Sequence, residues 1–171
     1  LLDWGRMEAG RKMYELHDEP VGIILEEAIS SFSPLRLSDG VTFSCEVEEG
    51  LPRVHVDRHA IVDAVVNLLS NAHKYGGTPP VVKLRAFRAG SNVAIEVSDN
   101  GAGIPRPEHR RIFDKFYRMD DRLARSREGS GLGLAIVKHI VRAHRGTIAL
   151  DSQPGQGSKF RLLFPAATET R

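Results

Sequence analysis

The stretch DRHAIVDAVVNLLSNAHKY, residues 57–75, decides the fold and much of the chemistry. Wound at about 100° per residue, it puts Ile61, Val62, Val65, Val66, Leu68, Leu69 and Ala72 on one side. Asp63, Asn67, Asn71 and Lys74 fall on the opposite side, with Tyr75 at the border. Asp57 is suited to cap the first turn, because its carboxylate can accept from a free backbone N–H. An amphipathic helix usually turns such a polar stripe to solvent. Asparagine is an indifferent helix former, however, and Lys or Glu would serve a solvated face better. Two asparagines one turn apart therefore mark a face along which a ligand can lie.

On the N-terminal side, VGIILEEAISSF follows Pro20 with helical spacing, and Pro34 is expected to end that helix. VTFSCEV alternates, placing Val41, Phe43, Cys45 and Val47 on one face, so Cys45 is expected to point into the core. A short strand, RVHV, is expected after Gly50 and Pro52. On the C-terminal side, VVKLRAFRA and NVAIEVS flank Gly90 and Ser91, and TIALDS and SKFRLLF flank Pro154, Gly155 and Gly157. Two hairpins follow. A further helix is expected from about Gly131 to His144. Strands and helices in this order predict a two-layer α/β sandwich, with one mixed, mostly antiparallel sheet covered on one face by helices.

The chain has 171 residues, 41% hydrophobic and 27% charged, which suits one globular domain. Its sixteen glycines and nine prolines show no period, so collagen and low-complexity classes are excluded. No apolar run approaches the roughly 18 residues of a membrane helix, and no membrane contact by this chain is expected. A single cysteine cannot form an internal disulfide, and no Cys/His spacing suits zinc. A net charge of +2 does not point to nucleic acid.

VAIEVSDNGAGI runs a strand into Asp99, Asn100, Gly101, Ala102 and Gly103, with Asp99 on the same face as Val93, Ile95 and Val97. A carboxylate at the sheet's mouth can accept from an exocyclic amine while two glycines let a flat ligand approach the backbone. Alone, this pattern equally describes a turn. In GSGLGLAIVKHIVRAH, Gly129, Gly131 and Gly133 lead into a helix, whose free N–H groups and partial positive charge suit phosphate. The strand of a Rossmann unit and the lysine of a P-loop are missing. Between these segments, residues 104–128 carry eight Lys or Arg against five Asp or Glu, and we read them as a mobile lid with an aromatic cluster of Phe113, Phe116 and Tyr117.

Taken together, NLLSNAHKY resembles the N box, DNGAG the first glycine box, FDKFYR the F box and GSGLGLAIVKHIVRAHRG the second glycine box of two-component sensor histidine kinases. Their catalytic domain is of the GHKL type shared with gyrase, MutL and a heat-shock chaperone, a sandwich that holds ATP and magnesium under a flexible lid. The opening LLDWGRMEAGR is similar to the end of the dimerisation helix that precedes that domain, so residues 1–12 are expected to be that helix's tail, 13–166 the catalytic domain and 167–171 a tail.

The resemblance implies that Asn71 holds Mg2+ through its amide oxygen, that Asn67 lies beside the phosphates and metal, and that Lys74 meets phosphate oxygens. It places Tyr75 near the nucleotide, Asp99 on the adenine amine, and Gly101, Gly103 and Ile104 around the base. Gly129, Gly131, Leu132, Gly133 and Leu134 would form the phosphate side and lid hinge, and Phe113 and Phe116 would anchor the lid. Asn67 and Lys74 are the expected catalytic residues; Arg118, Arg122, Arg125 and Arg127 are alternatives for the terminal phosphate.

ATP-hydrolysing relatives place a glutamate where Asn67 stands, so transfer to another nucleophile is expected rather than hydrolysis. That nucleophile is a histidine on the dimerisation domain, whose phosphate passes to an aspartate of a response regulator. The parent would be a homodimer acting in the cytoplasm, whether or not anchored to an inner membrane. The acceptor motif is absent here: His17 is followed by Asp18 but then by Glu19, Pro20 and Val21. The chain alone is thus expected to bind ATP without phosphorylating itself. The alternatives are a regulatory nucleotide-binding module without transferase activity, an anti-sigma-type serine kinase, disfavoured by the helix tail, and a GHKL ATPase, disfavoured by Asn67.

Overall fold

The structure, a computed structural model, describes residues 2–38, 40–119 and 130–168. In chain order the elements are α1 (Leu2–Glu8), β1 (His17–Glu19), α2 (Val21–Ser38), β2 (Thr42–Val47), β3 (Val54–Val56) and α3 (Arg58–Tyr75). They continue with β4 (Val81–Ala89), β5 (Asn92–Asp99), two 3₁₀ turns (Arg106–Glu108 and Arg111–Phe113), α4 (Gly133–Ala143), β6 (Thr147–Ser152) and β7 (Ser158–Pro165). Five strands form one sheet in the order β2-β4-β5-β7-β6, parallel only between β2 and β4. Helices α2, α3 and α4 cover one face, as the alternation and helical spacing predict.

The core lies between these layers. Val82, Leu84 and Ala86 of β4, Val93, Ile95 and Val97 of β5, and Phe160, Leu162 and Phe164 of β7 point inward. They meet Ile24, Leu25 and Phe32 of α2, Ile61, Val65, Leu68 and Leu69 of α3, and Val137, Ile140 and Val141 of α4. Each such side chain stabilises the fold by about 1.5–3 kcal/mol relative to exposure. Asp57 caps α3 as expected, its Oδ1 accepting from Ala60 N at 3.2 Å. Its Oδ2 accepts from Glu15 N at 3.0 Å, which ties the N-terminal segment to α3. Farther up that segment, Met7 is buried, and Trp4 packs edge-on against His139 of α4 at 6.2 Å with Lys115 5.5 Å from its ring. Lys115 also pairs with Glu8, so α1 rests on α4 and on the base of the lid segment.

The outer face of the sheet is organised around Glu96, 3% exposed. Arg161 donates to its Oε2 from Nε at 3.1 Å and Nη2 at 2.6 Å, and Arg85 lies 3.6 Å away. A buried carboxylate is tolerated there because both guanidinium groups satisfy it.

Three expectations are corrected. Cys45 has the inward parity but is exposed, as is Val47 at 44%, because β2 is an edge strand that the helices cover only at Phe43, where Phe32 packs at 5.7 Å. The second helix does not stop at Pro34: its backbone runs on to Ser38, a proline removing one intrahelical bond while the turns on either side keep theirs. The strand RVHV is not a member of the main sheet: it pairs with His17–Glu19, a polar tripeptide without strand patterning, and meets the chain after β7 through a bridge of Val54 to Ala166. Val54 and Val56 bury one side of that ribbon, and His55 Nδ1 meets Asp18 Oδ1 at 2.7 Å on the other.

Phe32→Ala is expected to lower unfolding free energy by about 3–5 kcal/mol, the cost of a cavity in a packed core. Cys45→Ser, at an exposed edge, should change it by no more than about 0.5 kcal/mol. Urea denaturation of both variants checks the two positions.

Candidate functional site

At the C-terminal ends of α3 and β5 and the N-terminus of α4 lies a cavity of about 630 Å³. That volume is typical of small-molecule sites. The polar stripe of α3 forms one wall through Asn67, Ser70, Asn71, Lys74 and Tyr75. Asn67 donates from Nδ2 to Asp63 O at 3.1 Å, which turns its Oδ1 toward α4. A Cβ on Gly133 would sit 3.3 Å from that oxygen, a tight contact to which the amide would have to yield slightly. Asp63 itself is exposed and faces a separate shallow cleft with Glu26, Glu27 and His59, so the stripe splits after its first member.

The opposite end is built by residues 99–104. Asp99 leaves the sheet between β4 and β7 and lines the cavity. Its Oδ1 accepts from Gly101 N at 2.8 Å, and the Ser158 backbone also donates to it. Burial pushes its carboxyl up to about 6 against the pull of those two N–H groups. At neutral pH it is therefore a charged acceptor in a poorly solvated place, suited to an N–H donor from a ligand.

The chain passes itself at very short range here. A Cβ on Gly101 would lie 2.0 Å from Tyr75 O, one on Gly103 1.9 Å from Gln153 O, and one on Gly157 2.0 Å from Asp99 O. Gly155 N donates to Ala102 O at 2.7 Å and Gly157 N to Gly101 O at 3.1 Å. The buried Ser152 hydroxyl completes the knot: it accepts from Ile104 N at 2.8 Å, donates to Gly157 O at 2.8 Å and meets Ser158 Oγ at 2.9 Å. The turn glycines between β6 and β7 thus serve the loop of residues 99–104 as well as their hairpin.

On the third side, Phe116 N donates to Gly131 O at 3.0 Å, pinching the chain together across the intervening segment. Gly131 has φ +71 and Phe116 φ +60, a conformation unusual for a bulky residue. Residues 104–113 fold as two 3₁₀ turns with Ile112 buried, so the first part of the expected lid is packed structure, while 120–129 lie outside the described residues. Tyr117 donates to the Glu108 carboxylate and lines the cavity with Arg118 and Met119.

Of the expected residues, Asn67, Asn71, Lys74, Tyr75, Asp99, Gly103, Ile104, Gly131, Gly133 and Leu134 converge on this cavity. Gly101 and Leu132 stand behind its surface, the first packed on Tyr75 and the second buried ahead of α4. Phe113 packs edge-on against Phe160 at 6.2 Å, whereas Phe116 is 66% exposed; Tyr117, not Phe116, is the cluster's contribution to the wall. Gly129, Arg122, Arg125 and Arg127 lie outside the described residues. Ser70, Gly76, Gly77, Ser158 and Phe160 also line the site and were missed, since none belongs to a pattern distinguishable from helix, turn or strand.

Residues 56–168 match the family described as histidine kinase-, DNA gyrase B-, and HSP90-like ATPase. The chain belongs to this family. Within it, the kinship is with the ATP-binding domains of sensor histidine kinases. The chain is 37% identical over 169 residues to the sensor-like histidine kinase SenX3 of Mycobacterium tuberculosis, covering 99% of this chain and 41% of that protein. It is 37% identical over 165 residues to the alginate biosynthesis sensor protein KinB of Pseudomonas aeruginosa, covering 96% and 27%. Among solved structures, full-length ShkA in complex with AMPPNP superposes with a TM-score of 0.85 at 27% identity, covering 99% of this chain and 35% of that one. The mycobacterial sensor histidine kinase MprB gives 0.72 at 28%, covering 90% and 98%. The chain therefore spans less than half the length of those curated relatives. Among the described residues no helix is long and apolar enough to cross a membrane.

Gly157→Ala should destabilise this ATP-binding domain far more than Gly155→Ala. Both have positive φ, but only the first drives a methyl group into a backbone carbonyl. Ser152→Ala should cost about 1–3 kcal/mol by orphaning Ile104 N. Thermal melts of the three variants check the order.

Proposed function

We propose that this domain binds ATP with magnesium and, within the full protein, transfers the γ-phosphoryl group to a histidine of a dimerisation domain, for relay to an aspartate of a response regulator. One observation carries the reading: a single cavity joins a carboxylate acceptor at one end to two side-chain amides, a lysine and a glycine-led helix N-terminus at the other. Those ends fit a purine amine and a triphosphate respectively. The family match and the ShkA complex support the nucleotide.

The donor set fits magnesium. Among the described residues no three His, Cys, Asp or Glu side chains cluster as ligands. Asn67 and Asn71 nevertheless offer hard amide oxygens where phosphates would supply the rest, the usual arrangement for an ion that keeps waters and bridges phosphate oxygens. When bound, the ion would neutralise developing charge on the transferring group. Asn71 would hold it, and Asn67, its Nδ2 anchored on Asp63 O, would turn Oδ1 toward the ion beside the phosphates. Lys74 meets phosphate oxygens, and Arg118 is the described lid arginine that lines the cavity.

In the transfer, an imidazole nitrogen bonds to the γ-phosphorus as the β,γ-bridging oxygen departs with ADP, and the domain contributes position and charge. Without a glutamate at position 67, water lacks a general base. That loss costs about 10²- to 10⁴-fold in rate, which keeps the nucleotide for the histidine. On this reading α1, Leu2–Glu8, belongs to the end of the dimerisation helix.

Asp99 has opposite effects on binding and stability. Its folded-state pKa is raised, so the group favours folding at acid pH, and that contribution is lost as pH rises through about 6. The charge that the ligand needs is thus one that the fold would rather lose. Calorimetric titration with an ATP analogue should show affinity falling as pH drops from 7.5 to 5. Asp99→Asn should abolish tight binding at pH 7.5 without lowering the melting temperature. Asn71→Ala should weaken binding in magnesium but not in chelator. Unchanged affinity in both variants would sink the assignment. Incubation with γ-labelled ATP should leave no acid-labile label on this chain.

A further inference from the structure

Asn100 follows the base-reading carboxylate, yet its side chain points away from the cavity to the connection between α3 and β4. Its Oδ1 accepts from Gly77 N and from Val81 N, both at 2.8 Å, and its Nδ2 donates to Pro79 O at 3.2 Å. One side chain thus ties two backbone groups of the five-residue connection 76–80 and the first N–H of β4, a segment otherwise held by Thr42 N donating to Pro80 O at 3.0 Å. The fit leaves no room to spare: a Cβ on Gly77 would lie 2.6 Å from Asn100 Nδ2. On the next residue the absence of a side chain brings Gly101 against Tyr75 O.

These contacts join two walls of the site. Asn67, Asn71 and Lys74 ride on α3, and Tyr75, Gly76 and Gly77 continue it along the cavity's rim. Asp99 and Gly103 belong to the other wall. The core packs α3 on β4 and β5, and Val82 pairs with Asp99, but among the described residues it is the Asn100 hydrogen bonds and the Gly101 contact with Tyr75 O that join the last turn of α3 to the loop after β5. A nucleotide that engages both walls senses that spacing directly, since a displacement of about 1 Å removes a hydrogen bond.

We infer that Asn100 is a positioning residue for the nucleotide: it touches no ligand, and it sets the distance between the base-reading loop and the amide-bearing helix. This inference rests on the nucleotide reading of the cavity. Oxygen acceptance matters most, because two N–H groups share one Oδ1, while the Nδ2 bond is longer and single. Asparagine can supply both functions where Asp supplies only the acceptor.

The test uses the chain as it stands, with a non-hydrolysable ATP analogue and magnesium as the probe. Titrations of wild type, Asn100→Ala and Asn100→Asp are run well below the melting temperature of each. Asn100→Ala is expected to weaken binding by about tenfold or more, the scale of a lost hydrogen-bonded staple. Asn100→Asp, which keeps both N–H acceptors, is expected to recover most of that loss. If Asn100→Ala binds within twofold of wild type, or Asn100→Asp is as weak as Asn100→Ala, the positioning role is wrong. If wild type itself fails to bind the analogue, the fault lies with the nucleotide reading instead.

Discussion

Backbone meets backbone in the loop at residues 99–104, and everything at the site depends on that contact. Tyr75 O, Gln153 O and Asp99 O each occupy space that a Cβ on Gly101, Gly103 or Gly157 would claim. Three segments distant in sequence, the end of α3, the loop after β5 and the turn before β7, therefore close on one another without intervening side chains. Such contact between main chains is stiff, because few rotatable groups remain to absorb a displacement. A stiff loop is what a buried carboxylate needs in order to present its oxygen in one direction.

That stiffness gives the electrostatics of Asp99 their meaning. A mobile carboxylate would turn to water and recover ordinary acidity; Asp99 is held among N–H donors from Gly101 and Ser158 and stays poorly solvated. The fold bears the cost of that charge, which an N–H donor from a ligand would offset. At the far end of the cavity the sign reverses. Lys74, Arg118 and the start of α4 present positive potential, and Asn67 and Asn71 add neutral oxygens that attract a cation without another net charge. A molecule with a donor at one end and a metal-bound polyanion at the other matches this polarity.

The N-terminal segment rests on the elements that bound that site. Trp4 packs against His139 on α4, and Glu8 and Trp4 both engage Lys115 at the base of the lid segment. The helix whose N-terminus lines the cavity is thus the helix on which α1 rests.

Local chemistry alone revealed the helix of residues 57–75 with its polar face, the carboxylate at the end of β5 and the glycine-led start of α4. Period, capping and glycine placement act over a few residues, so they can be read without knowing what lies nearby. The same logic set the inward parity of Cys45 correctly and its burial wrongly, because burial at an edge strand depends on whether a helix happens to cover it. It found the turn glycines 155 and 157 but not their packing on the ligand loop, and it saw Asn100 as a turn residue. The pairing of His17–Glu19 with Val54–Val56, the split of Asp63 from Asn67, and the contributions of Ser152, Ser158 and Gly77 were decided only in three dimensions. Each is a contact between segments far apart in the chain, whose energy appears only once the core has brought them together.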